Sequence, residues 1–553
     1  MGISSDQENH GLGTVRSFFK RSLSAIGKEW QPVIWLLALL IGIITAYAVI
    51  GFRILIAGIQ WSAYGISEEK LYTAAQNLSW WHVLLAPALG GVVVGLLLYL
   101  GKRYGALPDD RTQGVADVIE ARGLRAGRVH LSTGLMSALI SGVSLGSGAS
   151  AGREGPAVHL GASLSSFIAS RLGYPPAIAR TFLACGAAAA VSASFNTPLA
   201  GVLFALEVIL GHYALSVFAP VVIASVAATI ITRLHLGEFP AFIIPPVEME
   251  SYAQLPAFVI LGLICGIVAI MFLKSSIVVE HITQDVSEKL RIPVWVKPII
   301  AGLLVGAIAI VFPQILGVGY QATDAALKGL FSFWLLVSLI GAKIAATAIT
   351  LAGRFGGGVF SPALYLGAMT GGAFGLIAGS LFPDLTANEG FYAIVGMGAV
   401  AAAILGAPIS TTLIAFELVR EYEVAIALMV SVSIATFLTQ AVVGKSYFHW
   451  QIERRGFRLR EGPQDALLHL ITVRDVMTRD FSGYKLEDLD DKPPTLTEND
   501  NLKTVFDLMD ANNTETLVVM VEDTNDTIGL VHRNACLSFF NHALIQAHVE
   551  RHS

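Results

Sequence analysis

The pentapeptide Gly152-Arg153-Glu154-Gly155-Pro156 sets an acid beside a base in a stretch with almost no other charge. Between His130 and Thr232 the only charged side chains are Arg153, Glu154, Arg171, Arg180 and Glu207. A carboxylate in such surroundings costs about 2.5–3.5 kcal/mol on insertion scales, so it is expected to face an internal pathway rather than lipid. Pro156 suits the first position of a helix, which places Glu154 at that helix's positive end. A position that favours a bound carboxylate there favours a free anion equally. His159 lacks the neighbours a metal site needs and reads as a packed or lumen-facing side chain. Cys185, Cys265 and Cys536 are too few and too scattered for a disulfide framework or a zinc site. No nucleophile–base pair stands out, so no enzyme and no metal are expected.

A second run, Gly353-Arg354-Phe355-Gly356-Gly357-Gly358-Val359-Phe360-Ser361-Pro362, carries three consecutive glycines. They allow an unusual backbone path and close approach of an ion to amides. Ser361 is predicted as an N-cap, with Pro362 as the first helical residue. The two runs belong to a duplication. Pro156 to Ala162 matches Pro362 to Ala368 at an offset of 206 residues. Gly186, Phe195-Asn196-Thr197-Pro198 and Glu207 match Gly396, Leu405-Gly406-Ala407-Pro408 and Glu417 at an offset of 210. An internal repeat in a membrane chain marks a transporter, its site lying where discontinuous helices of both halves meet. Two helix starts converging on one point create a field from which only an anion benefits.

The elements that must hold these residues are written in the composition. Hydrophobic residues make up 54% of the 553 and charged ones only 14%. Apolar stretches near 33–59, 80–100, 131–151, 180–210, 214–232, 254–273, 295–312, 330–352, 361–382, 390–419 and 424–443 meet or approach the roughly 20 residues that cross a bilayer. Those broken by Gly and Pro suggest half-spanning helices lining a cavity. The expected fold class is an all-α polytopic membrane protein. Residues 1–30 lack a signal peptide, and Lys20, Arg21 and Lys28 predict a cytoplasmic N-terminus. The basic stretch 102–128 is placed on the same side. From Gln451 onward 11 Lys and Arg stand against 18 Asp and Glu, an acidic soluble tail with no nucleic-acid character.

The strings GREGPAVHLGA (152–162), FNTPLAGVLFALEV (195–208), GRFGGGVFSPALYLGA (353–368) and GMGAVAAAILGAPISTTLIAFEL (396–418) resemble the CLC family of chloride channels and chloride/proton exchangers. The resemblance covers roughly residues 33–460. It implies a homodimer of two independent anion pathways, each protomer an inverted repeat of tilted, discontinuous helices, here about 31–250 and 251–460. It assigns Glu154 the gating role. As a carboxylate it occupies the anion site; protonation or an arriving anion swings it away. Anion contacts are implied at Gln113, Gly152, Arg153, Gly155, Gly358, Val359, Phe360 and Phe448. A structural ion pair between Arg153 and Glu154 is the bland alternative, and adjacent residues at a helix start are expected to point apart.

Three positions depart from the family pattern. Gln113 stands where the family has a serine in Gly-Ser-Gly-Ile-Pro, with Thr112 as the alternative hydroxyl. Phe448, before Arg454-Arg455-Gly456, stands where the family has a tyrosine, and Tyr447 is expected to point elsewhere. Where many exchangers carry Glu-Glu, this chain has Glu207-Val208. Valine carries no proton. The repeat-mate Glu417 suggests a structural role for Glu207, with proton relay as its minor alternative.

Residues 461–553 form the expected tail. Thr472-Val-Arg-Asp-Val-Met-Thr478 resembles the start of a CBS domain, followed by a helix at 502–512, strands at 516–521 and 528–531, and a closing helix near Arg533. Residues 482–495 read as an insertion. One such unit suggests pairing across a dimer axis. An adenine nucleotide follows only by family analogy, since no phosphate cradle is visible, and no other cofactor is implied. The sequence reading is thus a multi-pass protein of the plasma or inner membrane, with both termini in the cytosol. It passes chloride or other small anions as a passive channel gated by Glu154. A chloride/proton antiporter is the alternative, and a membrane-anchored sensor scaffold the remote one.

Overall fold

The computed structural model describes residues 31–66, 70–237, 242, 254–382, 388–419, 422–456, 468, 471–478, 495–520 and 527–552. The N-terminal segment 1–30 lies outside them, as does the expected insertion at 482–495 save Thr495, which opens a strand.

Lipid offers no partner to backbone amides, so the apolar stretches fold as helices. In chain order these are α1 (Gln31–Tyr64), α2 (Leu71–Asn77), α3 (Trp80–Arg103), α4 (Val115–Leu124), α5 (Leu131–Gly146), α6 (Glu154–Leu172), α7 (Pro176–Phe195), α8 (Pro198–Phe204) and α9 (Leu215–Leu236). The second half continues with α10 (Leu255–Lys289), α11 (Lys297–Val311), α12 (Tyr320–Leu327), α13 (Phe333–Ala352), α14 (Phe360–Leu381), α15 (Glu389–Leu405), α16 (Pro408–Val419), α17 (Tyr422–Val443) and α18 (Tyr447–Glu453). Among the described residues nine helices are long and apolar enough to cross a membrane. Among the described residues the shorter apolar helices are α5, α8 with the turn that follows it, α15 and α16.

Two stretches that look continuous in sequence, 180–210 and 390–419, are each broken once. Asn196 ends α7 and Gly406 ends α15, both in the left-handed conformation (φ 62° and 69°). Pro198 and Pro408 then open α8 and α16, where their missing N–H groups cost nothing. α8 runs into a π-helical turn at Ala205–Leu210 that carries Glu207. The duplication is visible in the packing. α6 lies on α7 as α14 lies on α15. A Cβ on Gly161 would strike the Gly186 carbonyl, and one on Gly367 would strike the Gly396 carbonyl. Glycine at these four positions lets the backbones touch.

The tail holds a three-stranded sheet. β1 (Thr495–Leu496) pairs parallel with β2 (Thr516–Met520), which pairs antiparallel with β3 (Thr527–His532). The short α19 (Val473–Val476), α20 (Leu502–Asn512) and α21 (Arg533–His552) accompany it. Its core gathers Ile471, Val473, Leu502, Val505, Leu517 and Val531. The helix expected at 502–512 is present at those bounds, with the Asn501 side chain accepting from the Thr504 amide as its cap.

Candidate functional site

The loops before α6 and α14 meet in the centre of the membrane part. Gly152 and Gly358 exchange two backbone hydrogen bonds, each 2.7 Å, so both amides are engaged with each other. A Cβ on Gly155 would lie 3.2 Å from the Gly358 Cα. The Ser144 hydroxyl accepts from the Gly356 amide at 2.9 Å, and Thr350 Oγ1 accepts from the Ser150 amide at 3.2 Å. Loops of the two repeats are therefore seated on neighbouring helices.

The helices start two residues earlier than the prolines suggested. α6 begins at Glu154 and α14 at Phe360, so Pro156 and Pro362 are third residues. Proline fits anywhere in the first turn, because none of those amides has an intrahelical acceptor. Ser361 is accordingly not the cap. Val359 holds that position, and the Ser361 hydroxyl is free for another partner.

That partner is Glu154, whose side chain is 1% exposed. Ser361 Oγ lies 2.7 Å from both carboxylate oxygens, and the Tyr320 hydroxyl donates to Oε1 at 2.6 Å. Arg153 does not point fully away. Its Nε lies 4.0 Å from Glu154 Oε1, and its guanidinium carbon stacks 4.7 Å above the Tyr320 ring centre.

On one side of this junction lies a cavity of about 630 Å³. Gln113, Gly155, Gly358, Val359, Phe360 and Phe448 line its walls, so six of the expected site residues share one space. Gly152, Arg153 and Glu154 lie outside that lining. The Gln113 backbone N–H donates to Ser137 Oγ at 3.0 Å. Tyr447 also lines the cavity, against expectation, because the short α18 begins there, and the Tyr447 hydroxyl accepts from Gln451 Nε2 at 3.3 Å. Phe360 packs between Phe195 and Phe204, with ring centres 5.1 and 6.0 Å away.

The cavity mouth is charged. Arg455 Nη1 donates to Asp117 Oδ1 at 2.8 Å and to Glu120 Oε2 at 2.7 Å, while Arg111 holds Asp117 from the other side at 2.6 Å. Burial alone would raise the Asp117 carboxyl. The Arg111 and Arg455 guanidiniums outweigh it and hold that carboxyl well below the usual range.

Glu207 sits elsewhere. Its carboxylate accepts from the amides of Ile409 (3.0 Å) and Ser410 (2.8 Å) and from the Ser410 hydroxyl, at the start of α16. Val208 is half-buried against the core. The sequence reading missed Tyr320, Ser361 as a partner of Glu154, and Lys343. Lys343 is fully buried, its ammonium donating to the Ile315 carbonyl at 3.0 Å and the Gly317 carbonyl at 3.2 Å. A lone charge in the apolar run 333–352 was the available signal for Lys343. A single tyrosine gives none.

Known proteins carry the same organisation. The family model described as voltage gated chloride channel matches residues 90–440. A putative chloride channel protein, ClcB-like, from Ralstonia nicotianae is 31% identical over 396 residues, covering 71% of this chain and 90% of its own. The crystal structure of a slow cyanobacterial Cl⁻/H⁺ antiporter shares the fold with a TM-score of 0.66 at 24% identity, covering 76% of this chain and 97% of its own. That of a CLC-type fluoride/proton antiporter does so with a TM-score of 0.61 at 21% identity, covering 75% and 97%. The paired glycine loops, the duplicated broken helices and these matches have one reading: the chain belongs to the voltage gated chloride channel (CLC) family.

Proposed function

We propose that this protein passes chloride or other small anions across a membrane through the cavity at the repeat junction, with Glu154 as the gate. The observation that carries the reading is the meeting of two helix starts at the cavity, with the Glu154 carboxylate beside them. Geometry leaves the amides of Gly155 and Phe360 without an intrahelical acceptor beside the cavity, and Val359 caps the second helix there. A dehydrated anion fits that field, and the Glu154 carboxylate competes for it. Gln113 and Phe448 complete the walls, Phe448 without a hydroxyl. Anion binding then leans on backbone amides. The arginines at the mouth, with the basic stretch 102–128, support a cytosolic opening.

The passive channel is the reading we favour over the exchanger. Val208 carries no proton, and both oxygens of Glu207 accept backbone hydrogen bonds, which supports a structural role. The exchanger reading keeps one observation in its favour: the two solved structures named above are those of antiporters. Purified protein in liposomes under a pH gradient separates them. A channel's reversal potential follows the anion gradient alone, whereas a shift with the proton gradient establishes exchange. Absence of any anion flux would leave only the sensor scaffold.

We further propose a homodimer. The Glu207–α16 unit exposes Leu199 and Ile409, with Leu215, Phe218, Met429 and Phe437 on neighbouring α9 and α17, an apolar face suited to a second copy. The tail is proposed as a CBS-like unit that pairs in the same dimer. Crosslinking through a cysteine at position 409 tests the first point, a tail-deleted chain the second.

A further inference from the structure

We propose that Tyr320 and Ser361 form a hydroxyl latch that holds the Glu154 side chain off the anion path. The inference rests on the reading of Glu154 as the gate and names what sets its resting position. Glu154 is not among the residues that line the large cavity. It is met instead by two hydroxyls, at 2.6 Å from Tyr320 and 2.7 Å from Ser361. A serine hydroxyl has one proton, yet Ser361 Oγ stands at hydrogen-bond distance from both oxygens. The arrangement therefore serves both charge states. The carboxylate accepts from Tyr320 at Oε1 and from Ser361 at Oε2; the carboxylic acid accepts from Tyr320 and donates to Ser361. Neither form leaves a buried polar atom unpaired, so the gate can rest outside the path before protonation as well as after it.

Tyr320 is held for this task. Its ring is covered by Arg153 at 4.7 Å and met edge-on by Phe242, with ring centres 5.0 Å apart. It opens α12 directly after Gly319, whose φ of 90° a side chain rarely adopts. The preceding turn is pinned by the buried Lys343 ammonium through the carbonyls of Ile315 and Gly317. Among the described residues, the charged and titratable groups around the gate include Arg153 on its own loop, Tyr320 on α12, Lys343 on α13 and Arg53 on α1, which shares a small cavity with Arg153. Tyr320 and Ser361 are positioning residues, which act on the anion path through Glu154.

The test is anion flux from purified protein in liposomes, read from pH 5 to 7.5 in wild type, Tyr320→Phe, Ser361→Ala and Ser361→Thr. Loss of the latch returns the charged side chain to the anion site. Tyr320→Phe and Ser361→Ala are each expected to lower flux at pH 7.5 by about five- to tenfold, the weight of one hydrogen bond in the gate equilibrium, and to leave flux at pH 5 within about twofold. Ser361→Thr, which keeps the hydroxyl, should restore the profile. In a Glu154→Gln background none of the three should change the pH profile. Equal loss at both pH values, or an unchanged profile in folded Tyr320→Phe, overturns the latch while leaving Glu154 as gate. If Glu154→Gln itself retains the wild-type pH dependence, the gate reading fails and the latch with it.

Discussion

Glu207 and Glu417 each close the start of a helix in the opposite repeat. Glu207 accepts from the amides of Ile409 and Ser410 at 3.0 and 2.8 Å, and Glu417 accepts from those of Leu199 and Ala200 at 3.0 and 2.8 Å. The two sets of distances are the same because the two sites are copies. Short helices that begin with proline have orphan amides at N2 and N3, and a carboxylate from outside satisfies them while complementing the dipole.

This symmetry makes a stability prediction. Glu417→Ala should destabilise the fold by about 1–2 kcal/mol, the range for losing a helix cap, and Glu207→Ala by a similar amount. Thermal unfolding in detergent checks both. The reversal potential of Glu207→Ala should match that of wild type across a pH gradient, and a change confined to Glu207 would instead give it a proton-carrying role.

Glu154→Gln should abolish the pH dependence of flux and leave flux equal or higher. Glutamine keeps the shape and the hydrogen bonds of the side chain but never competes as an anion. Stopped-flow or electrode recordings of chloride efflux at pH 5 and 7.5 measure this directly.

Phe448→Tyr should tighten chloride binding by about tenfold or more, the weight of one hydrogen bond to a charged group, if a hydroxyl is what the cavity wall lacks. Phe448 is 6% exposed and lines the cavity, so a phenol there faces the proposed path. Calorimetric titration with chloride gives the answer, and an equal affinity would mean that the amides suffice.

The clamp at the cavity mouth should be insensitive to mild acid. Asp117 lies on α4, outside the spanning helices, and its carboxyl is held below the ordinary value of 3.8. A depressed folded-state value means that its stabilising effect is fully present above the ordinary value and is lost only as pH falls through the depressed one. Asp117→Asn should therefore lower stability on the order of 2 kcal/mol, less than for a fully buried pair because Arg455 keeps Glu120, and leave the pH midpoint of flux in place. A shifted midpoint would show that Asp117 takes part in gating.

Much of this arrangement was legible in the residues. Runs of Leu, Ile, Val and Ala dictate helices because lipid leaves the backbone no other partner, and the duplication located the meeting point of Gly152 with Gly358. The breaks at Asn196 and Gly406 were not placed in advance, although Pro198 and Pro408 two residues on are their local signal. Helix starts were misplaced at Pro156 and Pro362, since proline marks a first turn and not its first residue. Tyr320 was invisible, because a contact between residues 166 positions apart leaves no local pattern. Ser361 was noticed for the wrong duty: a hydroxyl near a helix start suits a cap, and only the fold reveals a carboxylate within its reach.

The doubly bonded glycines have a mechanical consequence. With Gly152 and Gly358 joined backbone to backbone, the two halves share a fixed midpoint about which neither can swing far without breaking both bonds in a water-poor interior. Transport by rocking one repeat against the other is thereby disfavoured. Under the proposed gate, anions would then pass a stationary scaffold, with the Glu154 side chain as the moving part.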